Sequence, residues 1–486
     1  MNIDREGRFD LTSVKFVEET PPRFLGRGDV LFNNTNSPEL IGKTTAIRVD
    51  TKLAYSNHMT RIRLEAGLNP VFVAHQLHFL WMSGYFRHRC QNHVNQASIS
   101  TGPLSDTVPL VVAPPREQGR IADTIDELLS DLDAGVAALE RVQIKLKHYR
   151  AAVLKAAVEG ALTTNWRAKN PATESASDLL TRILAERRRR WEDAQLQKFK
   201  KGREPAKNWK AKYEEPAPPD VTSLPALPAG WCWVTLNQVL WQLRSGTAAT
   251  SSRGTTNFPV LRSSAVRHGA IDLGDLNYLE QAQSLRHDNF LATGDLLITR
   301  LSGSVQFVGC SAVVKSAEAH TIQYPDRLFC GKLVALADGS FLTYVFQSAR
   351  IRRTLEDAAK STAGHQRISM SDLIPLVLPL PPVAEQEAII EVVDDQLSVI
   401  EHLDADLEAK LVGAQALRQS ILRQAFTGQL VPQDPTDESA AALLNRISAE
   451  RELLTLRAAK ERPTKAKRST RRNSTKAVVR EENIRD

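Results

Sequence analysis

The sequence is poor in the features that mark secreted proteins, membrane proteins and most enzymes. It has four cysteines, Cys90, Cys232, Cys310 and Cys330, and no CxxC pair. That pattern fits buried thiols in a reducing cytoplasm and argues against a disulfide framework or a zinc site. No apolar run reaches the length of about 18 residues that a membrane span needs. The polar, acidic opening "MNIDREGRFD" is not a secretory signal. Catalytic motifs are missing too. "SPELIGKT" (37–44) resembles a phosphate-binding loop, but Ser37 stands where that loop needs its first glycine. There is no GxGxxG after a strand, no HExxH, no [DN]PP[YF] and no PD…(D/E)xK. His75, His78, His88 and His93 lie close together without acidic or cysteine ligands beside them. The chain reads as a reader and scaffold, with no catalytic and no metal residues of its own.

The net charge of +7 is local in origin. Residues 187–212 hold 11 Lys/Arg against 3 Asp/Glu, and residues 461–486 hold 9 against 4. The remainder is therefore acidic overall. Basic arms of this kind suit a polyanion such as nucleic acid, or else form a solvated helix face and a disordered tail.

One passage occurs twice. "REQGRIADTIDELL" begins at Arg116 and "AEQEAIIEVVDDQL" at Ala384, each after an apolar run and a Pro-Pro pair. Glu117-Gln118 and Glu385-Gln386 are 268 positions apart. The match continues through "AAVLKAAVEGAL" (151–162) and "QSILRQAFTGQL" (419–430), then through "ESASDLLTRILAER" (174–187) and "ESAAALLNRISAER" (438–451). Backwards it reaches "FLGRGDVLF" (24–32) and "FLATGDLLI" (290–298). A period this long is no solenoid. It is a duplicated unit, a globular segment followed by a long helical one. The stretch from Asn57 to Cys90 has no close counterpart in the second half, so the globular parts read as diverged.

The helical segments carry heptad seams. The first runs Ile121, Ile125, Leu128, Leu132, Gly135, Leu139, Val142, Leu146, Tyr149, Val153, Ala156. The second runs Ile389, Val393, Gln396, Ile400, Leu403, Leu407, Lys410, Ala414, Leu417, Ile421. Antiparallel pairing of the two is expected, against the alternative of ordinary amphipathic helices on their own domains. About 44 residues at 1.5 Å each make a rod of roughly 65 Å. The globular segment after the Pro-rich stretch 213–224 shows short β-rich runs punctuated by Gly, Asn and Asp, and a helix over 341–359.

With "LPAGWCWVTL", "GDLLITRLSGSVQFVG", "HQRISMSDLIPLVLPLPPVAEQEAII" and "LRQSILRQAFTGQLVPQDPTDESAAALLNRI" set beside "GDVLFNNTNSPELIGKT", "VPLVVAPPREQGRI" and "VLKAAVEGALTTNW", the chain resembles the specificity (S) subunits of type I restriction–modification systems over nearly its whole length. The resemblance implies an α+β fold in which two target-recognition domains are separated by two long antiparallel coiled-coil helices, as a pseudo-two-fold repeat. It places the first recognition domain at 1–113, the first spacer helix and basic extension at 114–212, and a linker at 213–224. The second domain falls at 225–380, the second helix and extension at 381–460, and a basic tail at 461–486. It implies double-stranded DNA, two methyltransferase subunits and restriction/translocase subunits as partners, in the cytoplasm and away from membranes. S-adenosylmethionine, ATP and magnesium are then expected in the partner subunits and not in this chain.

By position, the DNA-facing residues expected in the second domain are Arg244, Arg262, Arg267, His268, Arg300, Gln366 and Arg367. In the first they are Asn33, Asn34, Lys43, His58, Arg61 and Arg63. The sequence departs from the family pattern at one place. "LPAGWCWVTL" stands about 64 residues before Gly294-Asp295, and nothing like it precedes Gly28-Asp29. The first domain is therefore expected to be N-terminally incomplete, through a misplaced start or a true truncation. Two other readings stay open, a coiled-coil adaptor without sequence preference and an inactive truncated subunit.

Overall fold

A computed structural model of the chain describes residues 3–12, 24–50, 53–94, 96–171, 174–200, 208–246, 248, 254, 256–280, 287–334, 338–362 and 364–460. The expected basic tail 461–486 lies outside the described residues, as do residues 201–207 of the other basic segment. The chain forms two compact units, Met1–Ala138 with Lys410–Asp486, and Leu139–Ala409. Both are α+β, with short antiparallel strands and helices. Two helices of 44 residues, Pro115–Val158 and Val383–Phe426, each give one part to each unit.

In the second unit, four antiparallel strands lie in the order Leu240–Ser245, Leu328–Leu333, Leu296–Thr299, Ser311–Val313. Alternation along a strand sends successive side chains to opposite faces. Leu296 and Ile298 thus join Phe329, Phe341 and Phe346 in one core, while Leu297 joins Ala312, Leu328 and Cys330 in another. The helix expected over 341–359 is two helices, Gly339–Gln347 and Ala349–Ala358, because the chain turns extended at Ser348 (φ −62°, ψ 144°). Val153, Leu154 and Ala157 of the first long helix close the core against Ile389, Val393, Leu397 and Ile400 of the second, antiparallel.

The first unit repeats this frame, including the stretch where the sequences do not match. Val30–Asn33 lies between Thr44–Ala46 and Met59–Ile62 as Leu296–Thr299 lies between Ser311–Val313 and Leu328–Leu333. Gly28 and Gly294 both have φ of 89°, and the aspartate that follows each accepts a backbone N–H three residues back, at 2.8 Å from Gly26 and from Ala292. The helix Pro70–Met82 stands in the place of Gly339–Gln347. Residues 57–90, which have no close counterpart in sequence, thus have one in the backbone. Sequence hides the equivalence because the core is repacked. Phe86 sits under Gly42 (φ +97°) as Leu355 sits under Gly309 (φ +71°), and a Cβ there would come within 2.4 and 2.7 Å of them.

The heptad seam is real but lies one position from the expected one at its polar steps. Leu128, Val142, Tyr149, Leu403 and Leu417 are exposed. The inward positions are Leu129, Arg150, Leu397 and Arg418. An ion pair sits at a shifted step in each unit. Asp133 meets Arg418 in the first, and Glu401 meets Arg150 at 3.4 Å in the second. Apolar periodicity alone cannot see charged side chains whose stems line a seam.

The repeated Glu-Gln pair is a joint. Gln118 is fully buried; its Nε2 donates to the Ala113 carbonyl (2.7 Å) and its Oε1 accepts from the Asn69 amide (2.8 Å). Gln386 does the same with the Pro381 carbonyl (2.9 Å) and the Asp338 amide (3.1 Å). Asn69 and Asp338 are the N-caps of Pro70–Met82 and Gly339–Gln347. One turn or more further along, Asp126 accepts from His75 (3.0 Å) and Asp394 from the Tyr344 hydroxyl. The N-terminal part of each long helix therefore grips the start of the globular helix in the unit that part belongs to.

The glutamates of the pair differ. Glu385 is 2% exposed and accepts from Thr163 Oγ1 (2.7 Å), Arg167 Nε (2.9 Å) and Trp231 Nε1 (2.8 Å). Glu117, 4% exposed, makes no side-chain hydrogen bond or ion pair among the described residues. Val431 occupies the position that Thr163 has in the other copy, three residues past the helix-ending glycine, Gly428 or Gly160.

Candidate nucleic-acid interface

In the second unit a three-stranded antiparallel sheet, Leu301–Ser302, His365–Arg367, Lys360–Thr362, gathers three of the expected residues. Arg367 pairs with Leu301 and Lys360, and Gln366 with Ser302 and Ser361. Arg300 precedes the first strand, and its carbonyl accepts from Ile368 N (3.0 Å). The exposed Arg367 makes no side-chain hydrogen bond among the described residues. Arg300 is half-buried, donating to the Asp326 carbonyl (3.1 Å) with its guanidinium 5.5 Å from the Phe329 ring centre. Lys360, which sequence reasoning missed, is exposed beside Arg367. Only its strand register gives it away.

The other expected residues of this unit are spread out. Arg267 is exposed at a hairpin turn and stacks over Phe307 (4.6 Å). His268 turns inward, with Nε2 3.2 Å from Cys310 Sγ, and burial followed by repulsion from Arg352 pushes its pKa down to about 4. It is neutral near pH 7. Arg244 pairs with Asp288 (2.8 Å), and Arg262 with Asn277 (2.8 Å) beside Asp275.

The first unit has the same three-stranded sheet in Thr35–Asn36, Gln96–Ser98 and Gln91–His93, and Ile99 N reaches the Asn34 carbonyl (2.9 Å) as Ile368 N reaches Arg300. Asn34 is therefore the counterpart of Arg300, and Ala97 and Ser98 those of Gln366 and Arg367. Asn34 donates to Thr60 Oγ1 (2.9 Å). Asn33 and Lys43 are buried; the Lys43 ammonium donates to the Ile3 carbonyl, and burial lowers its pKa. Neither presents its polar end to solvent, and Lys43 in particular is not a phosphate-binding lysine here. Arg63 holds Asp29 (3.2 Å), as Lys332 holds Asp295. Arg61 donates to the Phe24 carbonyl (2.6 Å) and lies over Tyr55. His58 is exposed.

The basic run at 187–190 is largely spent within the second unit. Arg187 reaches the Leu240 carbonyl and Tyr213, Arg188 pairs with Glu192, and Arg189 and Arg190 share Glu186. Of the clustered histidines, His75 meets Asp126, His78 the Arg5 carbonyl and His93 Ser98. No group of three or more His, Cys, Asp or Glu among the described residues could hold a metal ion. All four cysteines are free thiols. Among the described residues, no helix is long and apolar enough to cross a membrane.

His78 gives the first unit a built-in acid sensitivity. Its Nδ1 faces the Thr44 amide and its Nε2 the Arg5 carbonyl, and burial pushes its pKa down to about 4. The unfolded chain binds the proton near 6.5, so stability is full above that value and is lost as pH falls from about 6.5 towards 4. Up to about 3 kcal/mol is expected to go in that window. Asp126, held at about 2 by His75 and Arg48 against its burial, titrates below it. His78→Gln, which installs the residue found at the matching position 347, should flatten the loss. Denaturant midpoints at pH 7 and pH 4.5 for both proteins test this, and equal acid losses would refute it.

No family model matches the chain. It is 27% identical over 464 residues to the EcoKI type I restriction enzyme specificity subunit of Escherichia coli strain K12, covering 93% of this chain and 87% of that one. It is 23% identical over 470 residues to the StySPI type I restriction enzyme specificity subunit of Salmonella potsdam, with the same 93% and 87% coverage. A chain from a solved type I restriction–modification system matches it with a TM-score of 0.58 at 15% identity, over 88% of this chain and 90% of that one. That likeness is one of fold. The chain is a homologue of the type I restriction enzyme specificity subunits.

Proposed function

We propose that this chain is the DNA sequence-reading subunit of a type I restriction–modification complex, that each unit reads one part of a bipartite target, and that it does no chemistry itself. The observation that carries this reading is a repeated frame with unlike side chains at matching surface positions. Asn34 stands where Arg300 does and Ser98 where Arg367 does, on sheets of the same register. Base edges are told apart by the donors and acceptors offered to them, so two such surfaces suit two different short sequences. Apolar side chains left exposed along the long helices, Leu128, Val412 and Leu417 in the first unit and Val142, Tyr149, Val399 and Leu403 in the second, suit docking of two methyltransferase subunits, with restriction subunits joining that assembly. S-adenosylmethionine, ATP and magnesium would be held by those partners.

The test is a methylation map. The chain is co-expressed with its methyltransferase subunit in a host without adenine methylation, and modified adenines are located. A two-part motif with an unread gap is the expected result. Methylation without sequence preference would favour the adaptor reading. Arg367→Ala should weaken binding of the cognate duplex about tenfold or more and relax one part of the motif, since one good bidentate contact is worth about 1–3 kcal/mol. Wild-type affinity and motif in that variant would remove Arg367 from the interface.

A further inference from the structure

Residues 3–12 form a hairpin that the repeat as traced in sequence did not include. Ile3 bridges Phe9, the Asp4 amide donates to the Arg8 carbonyl (3.2 Å), and the turn is made at Gly7 with φ of 81°. Two buried side chains pin its backbone from below, Lys43 on the Ile3 carbonyl and His78 on the Arg5 carbonyl (3.1 Å). The second unit has a hairpin at the same place in its frame. Val266–Arg267 pairs with Ala270–Ile271 and turns at Gly269 with φ of 79°. A Cβ on Gly7 would face His78, and one on Gly269 would face Gln347, the residue matching His78. "REGRFDL" (5–11) and "RHGAIDL" (267–273) share Arg, Gly, Asp and Leu at the same spacing.

Arg5 is thus the counterpart of Arg267, and both are exposed. Arg8, on the same hairpin, is bound by Asp4, Glu6 and Asp133. Arg5 makes no side-chain hydrogen bond or ion pair among the described residues. Its guanidinium has five donors in a planar fork, carried on a turn whose main chain is fixed by buried groups. An arginine held this way is preorganised for a phosphate or a base edge.

We propose that the hairpin Ile3–Thr12 is a DNA-contacting element of the first unit and that Arg5 is its contact residue. The proposal rests on the DNA-reading function argued above. The test uses the whole chain assembled with its methyltransferase subunits. Affinity for the cognate duplex is measured across salt concentrations, and methylated sites are mapped, for wild type, Arg5→Ala, Arg5→Lys and Arg8→Ala. Arg5→Ala is expected to lose about tenfold or more in affinity. A base contact would relax one part of the motif and keep the other, and Arg5→Lys would not restore it. A phosphate contact would lower affinity for all sequences, reduce the salt slope by about one, and be partly restored by Arg5→Lys. Arg8→Ala should keep the wild-type motif. A specific wild-type complex with an unchanged Arg5→Ala variant overturns this proposal alone. A wild-type complex without sequence preference overturns it together with the reading it rests on.

Discussion

Glu385→Ala should destabilise the second unit by about 3–5 kcal/mol, whereas Glu117→Ala, at the matching position of the first, should cost less than about 1 kcal/mol. The two residues share sequence context, helix position and near-complete burial, so a rule based on any of these would predict equal effects. What differs is who meets them. Glu385 accepts from Thr163, Arg167 and Trp231, and Arg167 has a side chain only 21% exposed. Removing the carboxylate takes the counter-charge from that guanidinium, which keeps the Gly160 carbonyl and Thr163 as neutral acceptors, and leaves the Trp231 N–H without an acceptor away from water. Removing Glu117 strands nothing. Hydrogen exchange of the amides at 383–397 and 115–129 would report the two local losses separately. Losses of similar size would show that the glutamate acts through the helix itself and not through its partners.

The matching glutamines should behave the other way, alike. Gln118→Ala and Gln386→Ala are each expected to cost about 2–4 kcal/mol, because each leaves one buried carbonyl and one amide at a helix N-cap unpaired. The bonds lost are the same in both copies, within a few tenths of an ångström. Gln→Glu at either site should be nearly as harmful, since a carboxylate can accept from the amide but cannot donate to the Ala113 or Pro381 carbonyl. Thermal unfolding with exchange at the Asn69 and Asp338 amides is the check. Protection at those amides unchanged in the alanine variants would remove the glutamines from the joint.

What could be read in the sequence followed from how many atoms each feature constrains. The Glu-Gln pairs, the Gly-Asp turns and the long helices were visible because backbone geometry there admits few residues, as at Gly28 and Gly294. The α+β class followed from the short β-rich runs and the family resemblance, and the antiparallel helices from the two heptad seams. The seam was misplaced by one step because Arg150 and Arg418 bury stems while their charges find Glu401 and Asp133. The backbone equivalence of residues 57–90 did not show in the sequence because Phe86 and Leu355 fill the same place with different shapes. Among the site residues, exposure separates Arg267 and Arg367 from His268, Asn33 and Lys43, and no pattern of residue types carries that information. The hairpin at Arg5 was legible in principle. Its match to 267–273 sits at a spacing of 262 where the helices match at 268, so a search at one offset passes over it.

The glutamine joint touches only main-chain atoms of the globular segment, the Ala113 and Pro381 carbonyls and the Asn69 and Asp338 amides. Substitutions on the surface of that segment leave those four groups in place. The surface can therefore drift, residue by residue, while its mounting stays constant. Under the DNA-reading function proposed above, selection for a new target and selection for a sound assembly then act on separate sets of atoms, and neither needs to wait for the other.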